Sequence, residues 1–332
     1  MRPKKLMVQT GVQILKATVG IRSNSRDLLP KFPLLIEVKS LLTDFRDMIE
    51  IPYSAKLDGQ IVLEDKPSAA AFFERSNRRA LFRGPLRKFE AQASDLRYSF
   101  WGNLGFLYRF ILYLLEERHQ IYSLHACGLY DEKKNILYIA AGGAGSGKTV
   151  YLLSGIAKGL KLFSTETVAY ECQGKKITWF KGSLVDNVRL GTLVHDFPQF
   201  LPRLDRPSSP GQVWQKKIAL DLSCHQCSQD TLVQPDVVIL FPRIEAGRKG
   251  SLVTAFEDKR PAAKAVFDNL SQKIAETIIL YDRLVVCGLD DAGLAEARWK
   301  SARQLVENAS VVQIASVLSG PADCWGHLLE SS

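Results

Sequence analysis

The stretch that decides the fold is IAAGGAGSGKTVYLL, residues 139–153. Within it, Gly142, Gly147, Lys148 and Thr149 have the spacing of a phosphate-binding loop, or P-loop. The apolar run NILYIAA comes before the loop, and the helix-like run TVYLLSGIAKG follows it. Because strand, Lys, Thr and helix are all in place, we prefer a P-loop to a chance match in a glycine-rich turn.

The residue types of the loop indicate what it would bind. Glycines let the backbone turn so that successive N–H groups over residues 143–148 converge on phosphate oxygens. Lys148 is expected to reach the β and γ phosphates, and the Thr149 hydroxyl to be a magnesium ligand. The predicted ligands are ATP or another nucleoside triphosphate, with Mg²⁺. The predicted binding residues are Gly142, Gly143, Ala144, Gly145, Ser146, Gly147, Lys148 and Thr149.

The chain around the loop favours an α/β domain over residues 121–332, with a mixed sheet and flanking helices. Apolar runs dense enough for a sheet covered on both faces alternate there with helical segments. The predicted strands are IYSLHACGLY (121–130), NILYIAAG (135–142), LKLFSTETVAYE (160–171), KKITWF (175–180), QKKIALDL (215–222), DVVILFP (236–242) and RLVVCGL (283–289). The predicted helices are TVYLLSGIAKG (149–159), PAAKAVFDNLSQKIAETIILYDR (261–283) and AGLAEARWKSARQLVEN (292–308).

A small, mostly β region is predicted before this domain, over residues 1–100. Its β-like runs are VQILKATVGI (12–21), LLIEVKS (34–40) and GQIVLED (59–65). Residues 101–120 form a predicted connecting helix, since apolar residues recur at helical spacing from Leu104 to Leu115. Residues 195–212, rich in proline and small residues, are predicted to be a long surface loop.

The charge and composition of the chain limit the classes of partner that we expect. The 332 residues are 46% hydrophobic and carry a formal net charge of +9, which favours an anionic partner. The densest basic run is NRRALFRGPLRK (77–88), where Phe82 could stack on a base. Acidic residues lie close by and no nucleic-acid fold signature accompanies the run, so we do not expect nucleic acid as a partner.

Location and redox state follow from the apolar runs and the cysteines. The apolar run from Leu104 to Leu115 is too short to span a bilayer, and the first residues lack a secretory signal pattern. We therefore expect a cytoplasmic protein with no membrane span. Most of the six cysteines lie among apolar or small residues, as reduced buried thiols do. Cys224 and Cys227 form a single CxxC without a visible second metal or redox element, so we predict a thiol-containing loop.

A P-loop enzyme also needs an acid for the metal, usually at the end of a neighbouring strand. The strand DVVILFP ends beside Arg243 and offers no acid there. Asp290 and Asp291 follow a glycine and could cap the next helix instead. Glu166, in the strand after the loop helix, is the position we prefer.

The order SLHACGLYDEKKNILYIAAGGAGSGKT, a loop helix ending in KG, and LKLFSTETVAYE resembles the HPr kinase/phosphorylase group, whose P-loop is related to that of phosphoenolpyruvate carboxykinase. The resemblance covers residues 121–171 with specific motifs and later segments more loosely. It implies phosphoryl transfer from a nucleoside triphosphate to a hydroxyl, commonly a serine, of a protein, peptide or small molecule. Members of the group form oligomers, although no interface is evident from this sequence.

The resemblance also implies roles for individual residues. His125 lies beside the phosphates, and Glu166 matches the second acidic position after the loop helix. The first acidic position, assigned to the general base, is Thr165 here, so that role would pass to Glu166, His125 or Asp186. For His125 the alternative is a buried histidine bonded to backbone, and for the Asp186 segment a surface turn followed by a strand. Arg243, Arg248 and Lys249 could supply positive charge, or could lie in a solvated loop.

Three readings of the site remain open. The leading one is an ATP-dependent kinase with Glu166, His125, Lys148, Asp186 and Arg243 as catalytic candidates and Thr149 and Glu166 as metal ligands. The second is a catalytically weak nucleotide-binding switch or scaffold subunit, which Thr165 motivates. The third, a motor or transporter ATPase, lacks its signature residues in this chain.

Overall fold

The protein divides into two compact units. The computed structural model describes residues 7–29, 48–201, 210–275, 277–286, 289–321 and 323–325. One unit comprises Met1–Ile121 with Lys273–Glu296, and the other comprises Tyr122–Gln272 with Ala297–Ser332. The chain thus passes between units next to the boundary expected at residue 120. Residues 273–296, which we assigned to the second domain, group instead with the first.

The described chain contains more strands than helices, and several strands often follow one another before the next helix. The strands are β1 (Val8–Ile14), β2 (Ala17–Ser23), β3 (Ile49–Ile51), β4 (Gly59–Asp65), β5 (Phe72–Ser76), β6 (Arg79–Gly84), β7 (Ile121–Asp131), β8 (Ile136–Ala141), β9 (Lys161–Ser164), β10 (Thr167–Gln173), β11 (Lys176–Phe180), β12 (Val185–Arg189), β13 (Lys217–Asp221), β14 (Thr231–Val233), β15 (Asp236–Ile244), β16 (Ser251–Ala255), β17 (Ile278–Leu280), β18 (Leu284–Val286) and β19 (Val311–Ser319). The helices are α1 (Leu86–Ala91), α2 (Phe106–His119), α3 (Lys148–Ala157), α4 (Leu190–His195), α5 (Pro210–Gln215), α6 (Lys259–Ser271) and α7 (Ala292–Glu307).

The first unit contains a six-stranded sheet in the order β3-β1-β2-β4-β6-β5. The β2–β4 and β4–β6 pairs are parallel, whereas β1–β2, β1–β3 and β5–β6 are antiparallel. The predicted strand 59–65 is confirmed as β4. The run 12–21 is β-structure, but it is not one strand, because the chain reverses at Leu15, whose φ of 50° is left-handed, and forms the β1–β2 hairpin. The predicted strand 34–40 lies outside the described residues.

Helix α2 confirms the predicted helix and belongs to the first unit. Its residues from Phe106 to Glu116 are all buried, on every side of the helix. Gly59 of β4 permits a close approach, since a Cβ there would lie 2.7 Å from the Phe110 ring and 2.8 Å from Leu114. The helix is therefore a core element of this unit.

The predicted helix 261–283 is wrong in its second half. Helix α6 ends at Ser271, and the β-branched run at Ile278 and Ile279 forms β17, which pairs with β18 through a turn at Tyr281 and Asp282. β18 is the described part of the predicted strand 283–289. It lies in this hairpin rather than in the sheet of the second unit.

The second unit is built on a mixed sheet, which confirms the α/β class. Its order is β14-β11-β10-β7-β8-β15-β19-β16, with β9 also pairing with β7. The central β8–β15 and β15–β19 pairs are parallel, and strands on either side are antiparallel. One face of the sheet packs in a core with α6 and α7, and the other packs with α3. β16 and β19 were not predicted.

Two predicted strands of this unit differ from the structure. The run 160–171 is two strands, β9 and β10, which are interrupted at Thr165 and Glu166. The run 215–222 forms β13, which pairs with β12 in a separate two-stranded sheet. In the part of the chain that the structure describes, no helix has the length and apolar character needed to cross a bilayer.

Candidate functional site

The glycine loop, residues 142–147, connects β8 directly to α3. Gly145 and Gly147 have φ values of 83° and 101°, in the left-handed region that favours glycine. Gly147 also lies against Ile244 of β15, where a Cβ would clash. The first N–H of the loop, at Gly142, donates to the carbonyl of His125 on β7 over 3.1 Å. The loop is therefore fixed by both strands that flank β8.

Lys148 begins α3, and its side chain folds back over the glycine loop. Its Nζ donates to the carbonyl oxygens of Gly142 and Gly143 over 2.7 and 3.0 Å. The Ser146 hydroxyl in the same loop is buried without a hydrogen-bond partner in the protein. An ammonium group and an unsatisfied donor inside a glycine loop fit a phosphate ligand, because phosphate oxygens accept hydrogen bonds from both.

An acidic pair lies beside the first turn of α3. The Thr149 hydroxyl donates to Oδ2 of Asp186 over 3.3 Å. Asp186 lies in a strand, β12, as the alternative for this segment allowed, but it is only 2% exposed and so is not in a surface turn. Its burial, and then the charge of Glu166 and a hydrogen bond with that side chain, raise the pKa of Asp186 well above its usual range. Asp186 therefore binds a proton more readily than a solvent-exposed aspartate does.

Glu166 lies at the interruption between β9 and β10. Its carbonyl accepts from the Ala126 N–H of β7 over 3.1 Å, which holds this turn against the central sheet. Its carboxylate Oε2 lies 3.6 Å from Nε2 of His125. Glu166 therefore lies next to His125, although the sequence did not predict this contact.

Thr165 has a structural environment. It is 2% exposed, and its hydroxyl donates to the Val185 carbonyl over 2.8 Å. Its N–H donates to the Ser183 carbonyl over 2.9 Å. These bonds tie the β9–β10 turn to the segment that carries Asp186, so Thr165 positions the acidic pair.

Two residues that the sequence prediction missed hold His125. They are Asn269, in α6, and Gln272, directly after it. Asn269 bonds the backbone N–H and C=O of His125, and Gln272 Oε1 lies 3.0 Å from Nδ1 of the ring. The ring contacts are thus with the side chains of Gln272 and Glu166, whereas Asn269 bonds the main chain. Asn and Gln near the end of an amphipathic helix give no motif, so only the fold brings them to this site.

The basic residues after β15 are arranged differently. Ile244 packs on Gly147, and because side chains alternate along a strand, Arg243 points to the opposite face of the sheet. The Arg243 side chain is 79% exposed and pairs with Glu245 at 3.8 Å. Arg248 also pairs with Glu245, at 3.4 Å. The structure thus does not gather Arg243 with the loop, and it fits the alternative of a solvated segment.

Other candidates have local roles. Asp291 Oδ1 accepts from the Leu294 N–H over 2.9 Å and so caps α7. Phe82, proposed to stack on a base, is 1% exposed and packs against other phenylalanines. Cys227 is buried and Cys224 exposed, and both are free thiols, as are the other cysteines in the described residues.

Among the described residues, no three His, Cys, Asp or Glu side chains are placed to hold a metal ion by themselves. The donors beside the glycine loop are the Thr149 hydroxyl and the carboxyl groups of Asp186 and Glu166. Magnesium commonly uses one or two carboxylates together with substrate phosphates and water. This donor set fits a magnesium ion that arrives with a triphosphate.

No protein-family model matches this chain, and no curated protein matches it. Its function must therefore be inferred from the residues and geometry of the site.

Proposed function

We propose that this protein is a kinase related to HPr kinase, which transfers the γ-phosphoryl group of ATP or another nucleoside triphosphate to a hydroxyl. A serine of a protein or peptide is favoured over a small molecule because of the family resemblance. The observation that carries the proposal is the chain of contacts from the glycine loop through Thr149, Asp186 and Glu166 to His125. We also propose a cytoplasmic location, which the free cysteines support.

The glycine loop and Lys148 would bind the triphosphate. Backbone N–H groups of the loop and the start of α3 provide donors for the phosphates. Lys148 would exchange the Gly142 and Gly143 carbonyls for phosphate oxygens, which as charged acceptors make stronger hydrogen bonds.

The acidic side chains would hold magnesium beside the phosphates. Bound magnesium neutralises charge on the β and γ phosphates during transfer. Thr149, Asp186 and Glu166 would supply its protein ligands. Asp186 must lose its proton to act as a ligand, and a neighbouring cation favours that loss because it stabilises the carboxylate.

Thr165 does not prevent this proposal. Phosphoryl transfer depends mainly on positioning and charge neutralisation, so a base at that position is not essential. Because the Thr165 hydroxyl already donates to backbone carbonyls, proton acceptance falls to Glu166, His125 or Asp186.

A second candidate is a nucleotide-binding switch or scaffold subunit without efficient transfer. The specific observation in its favour is again Thr165, which replaces an acidic residue and has a buried, structural role. Nucleotide binding would then change the loop and α3 without a phosphorylated product.

The decisive experiment measures binding and transfer on the same protein. Calorimetry with ATP and Mg²⁺ would detect binding, and γ-labelled ATP with serine-containing peptides and small alcohols would detect transfer. We expect both in the wild type and neither in Lys148→Ala, with Lys158→Ala, an exposed change at the end of the same helix, as the matched control. Binding without labelled product would support the switch, and absence of binding would contradict both candidates.

A further inference from the structure

We infer that Asn269 and Gln272, at the end of α6, are positioning residues that set the orientation and tautomer of the His125 ring. The orientation of the His125 ring by these two residues does not depend on the proposed function. Its consequence for catalysis rests on the proposed phosphoryl transfer.

Asn269 fixes the main chain of His125. It is 2% exposed, its Oδ1 accepts from the His125 N–H over 2.9 Å, and its Nδ2 donates to the His125 carbonyl over 3.1 Å. Only one orientation of the amide satisfies both bonds, because nitrogen donates and oxygen accepts. The same His125 carbonyl accepts from the Gly142 N–H. Helix α6, strand β7 and the start of the glycine loop therefore meet at a single backbone group.

Gln272 fixes the ring. Its Oε1 lies 3.0 Å from Nδ1, and because an amide oxygen only accepts, this contact is a hydrogen bond when the ring carries a proton on Nδ1. The other nitrogen, Nε2, lies 3.6 Å from Oε2 of Glu166. The Gln272 amide also borders the loop, because a Cβ added to Gly143 would lie 3.6 Å from its Nε2. One side chain thus adjoins both the ring and the loop.

This arrangement determines which nitrogen of His125 faces the acidic pair. With Nδ1–H held by Gln272, Nε2 is the ring nitrogen that faces Glu166; it is an acceptor when the ring is neutral and a donor to the carboxylate when the ring is charged. A group that orients a histidine through its second nitrogen commonly controls what the first nitrogen can do. In the proposed transfer, loss of Gln272 would therefore change the orientation and protonation of the His125 ring beside Glu166. It would leave the nucleotide-binding residues unchanged.

The test is ¹⁵N NMR of the full-length protein labelled at histidine, with His125→Gln used to assign the His125 signals. We expect the wild type to carry its proton on Nδ1. Gln272→Met, of similar shape but without an acceptor, should shift the population toward the tautomer protonated on Nε2. Gln272→Glu keeps an acceptor and should retain the proton on Nδ1. Lys264→Ala, an exposed change in the same helix, should have no effect.

A wild-type ring protonated on Nε2 alone would overturn the inference without any variant having to fold. A Gln272→Met tautomer equal to that of the wild type would also overturn it. Asn269→Asp should move the His125 backbone amide signal, because it keeps the acceptor and loses the donor.

The kinetic readout separates this inference from the proposed function. Gln272→Met should lower kcat for phosphoryl transfer by about 10- to 100-fold, as loss of an orienting partner does, with KM for the triphosphate unchanged and partial recovery in Gln272→Glu. If the NMR result holds and the wild type transfers no phosphate, the proposed function fails while the positioning role stands. If transfer occurs and the tautomer does not depend on Gln272, the positioning role fails.

Discussion

Thr149 Oγ1 donates a hydrogen bond of 3.3 Å to Oδ2 of Asp186, a residue 37 positions further along the chain. This bond joins the first turn of the helix after the glycine loop to a buried carboxyl group on β12. Through Glu166 the contact continues to His125 on β7. Four side chains from separate elements thus form one continuous chain of contacts beside the loop.

Replacing Lys148 tests whether the loop is the triphosphate site. Lys148→Ala should remove most of the affinity for ATP, because the ammonium is the charged donor of the loop. The fold should remain, since its partners are loop carbonyls near solvent. Calorimetry with Mg²⁺ and ATP checks this, with Lys158→Ala as control. Equal affinity in Lys148→Ala and the wild type would place the nucleotide elsewhere.

Replacing Glu166 tests whether the acidic pair, Asp186 and Glu166, holds the metal. Glu166→Gln should lower magnesium-dependent transfer by about 100-fold or more, because charge neutralisation at the phosphates is lost. Quantification of labelled product measures the effect, and Glu257→Gln, a change at an exposed acid, is the control. Wild-type rates in Glu166→Gln would show that Glu166 is not needed to hold the metal and would leave Asp186 as its carboxylate ligand.

The buried carboxyl group of Asp186 should make stability depend on pH. Its raised pKa means that the native state binds the proton more tightly than the unfolded chain does. The free energy of unfolding should therefore fall as pH rises from the ordinary Asp pKa through the native pKa. Denaturant unfolding of the ligand-free protein across this range measures the slope. Asp186→Asn should show a smaller fall, and an equal fall in both proteins would show that another group is responsible.

Gly147 should not tolerate a side chain. Its φ of 101° is unfavourable for alanine, and a Cβ would clash with Ile244. Gly147→Ala should lower stability by about 1–3 kcal/mol from backbone strain alone, with a further loss from the clash. Gly159→Ala is the matched control, because its φ is 94° and no atom lies within 4 Å of the added Cβ. Thermal unfolding that shows equal losses in the two variants would mean that Ile244 simply moves aside.

The strands and helices nearest the loop were predictable because each carries its own pattern. NILYIAA and TVYLLSGIAKG are continuous apolar or helix-forming runs on either side of glycines, and they form β8 and α3. The run 261–283 failed because Ile278 and Ile279 can continue an apolar helical pattern as well as form a strand. They form a strand because they pair with Val286 and Val285 of β18, and the apolar pattern of 261–283 does not show that pairing.

The candidate site was predictable only where a motif defines it. Lys148 and Thr149 follow from the loop, and His125 and Glu166 from the resemblance. Asn269 and Gln272 carry no motif, and Arg243 was a candidate because it follows the strand DVVILFP and carries positive charge, although only its neighbour Ile244 packs on the loop. The alternation of side chains along β15 separates the two.

The sequence by itself determined a glycine loop between an apolar strand and a helix, because local spacing is enough to specify that turn. Tertiary structure alone decided which acids and amides stand beside the loop. Pairing of β12 with β13 buries Asp186 against Thr149, and packing of α6 on the sheet brings Asn269 and Gln272 to His125. Such contacts depend on chain segments that are distant in sequence, and no local pattern encodes where those segments meet.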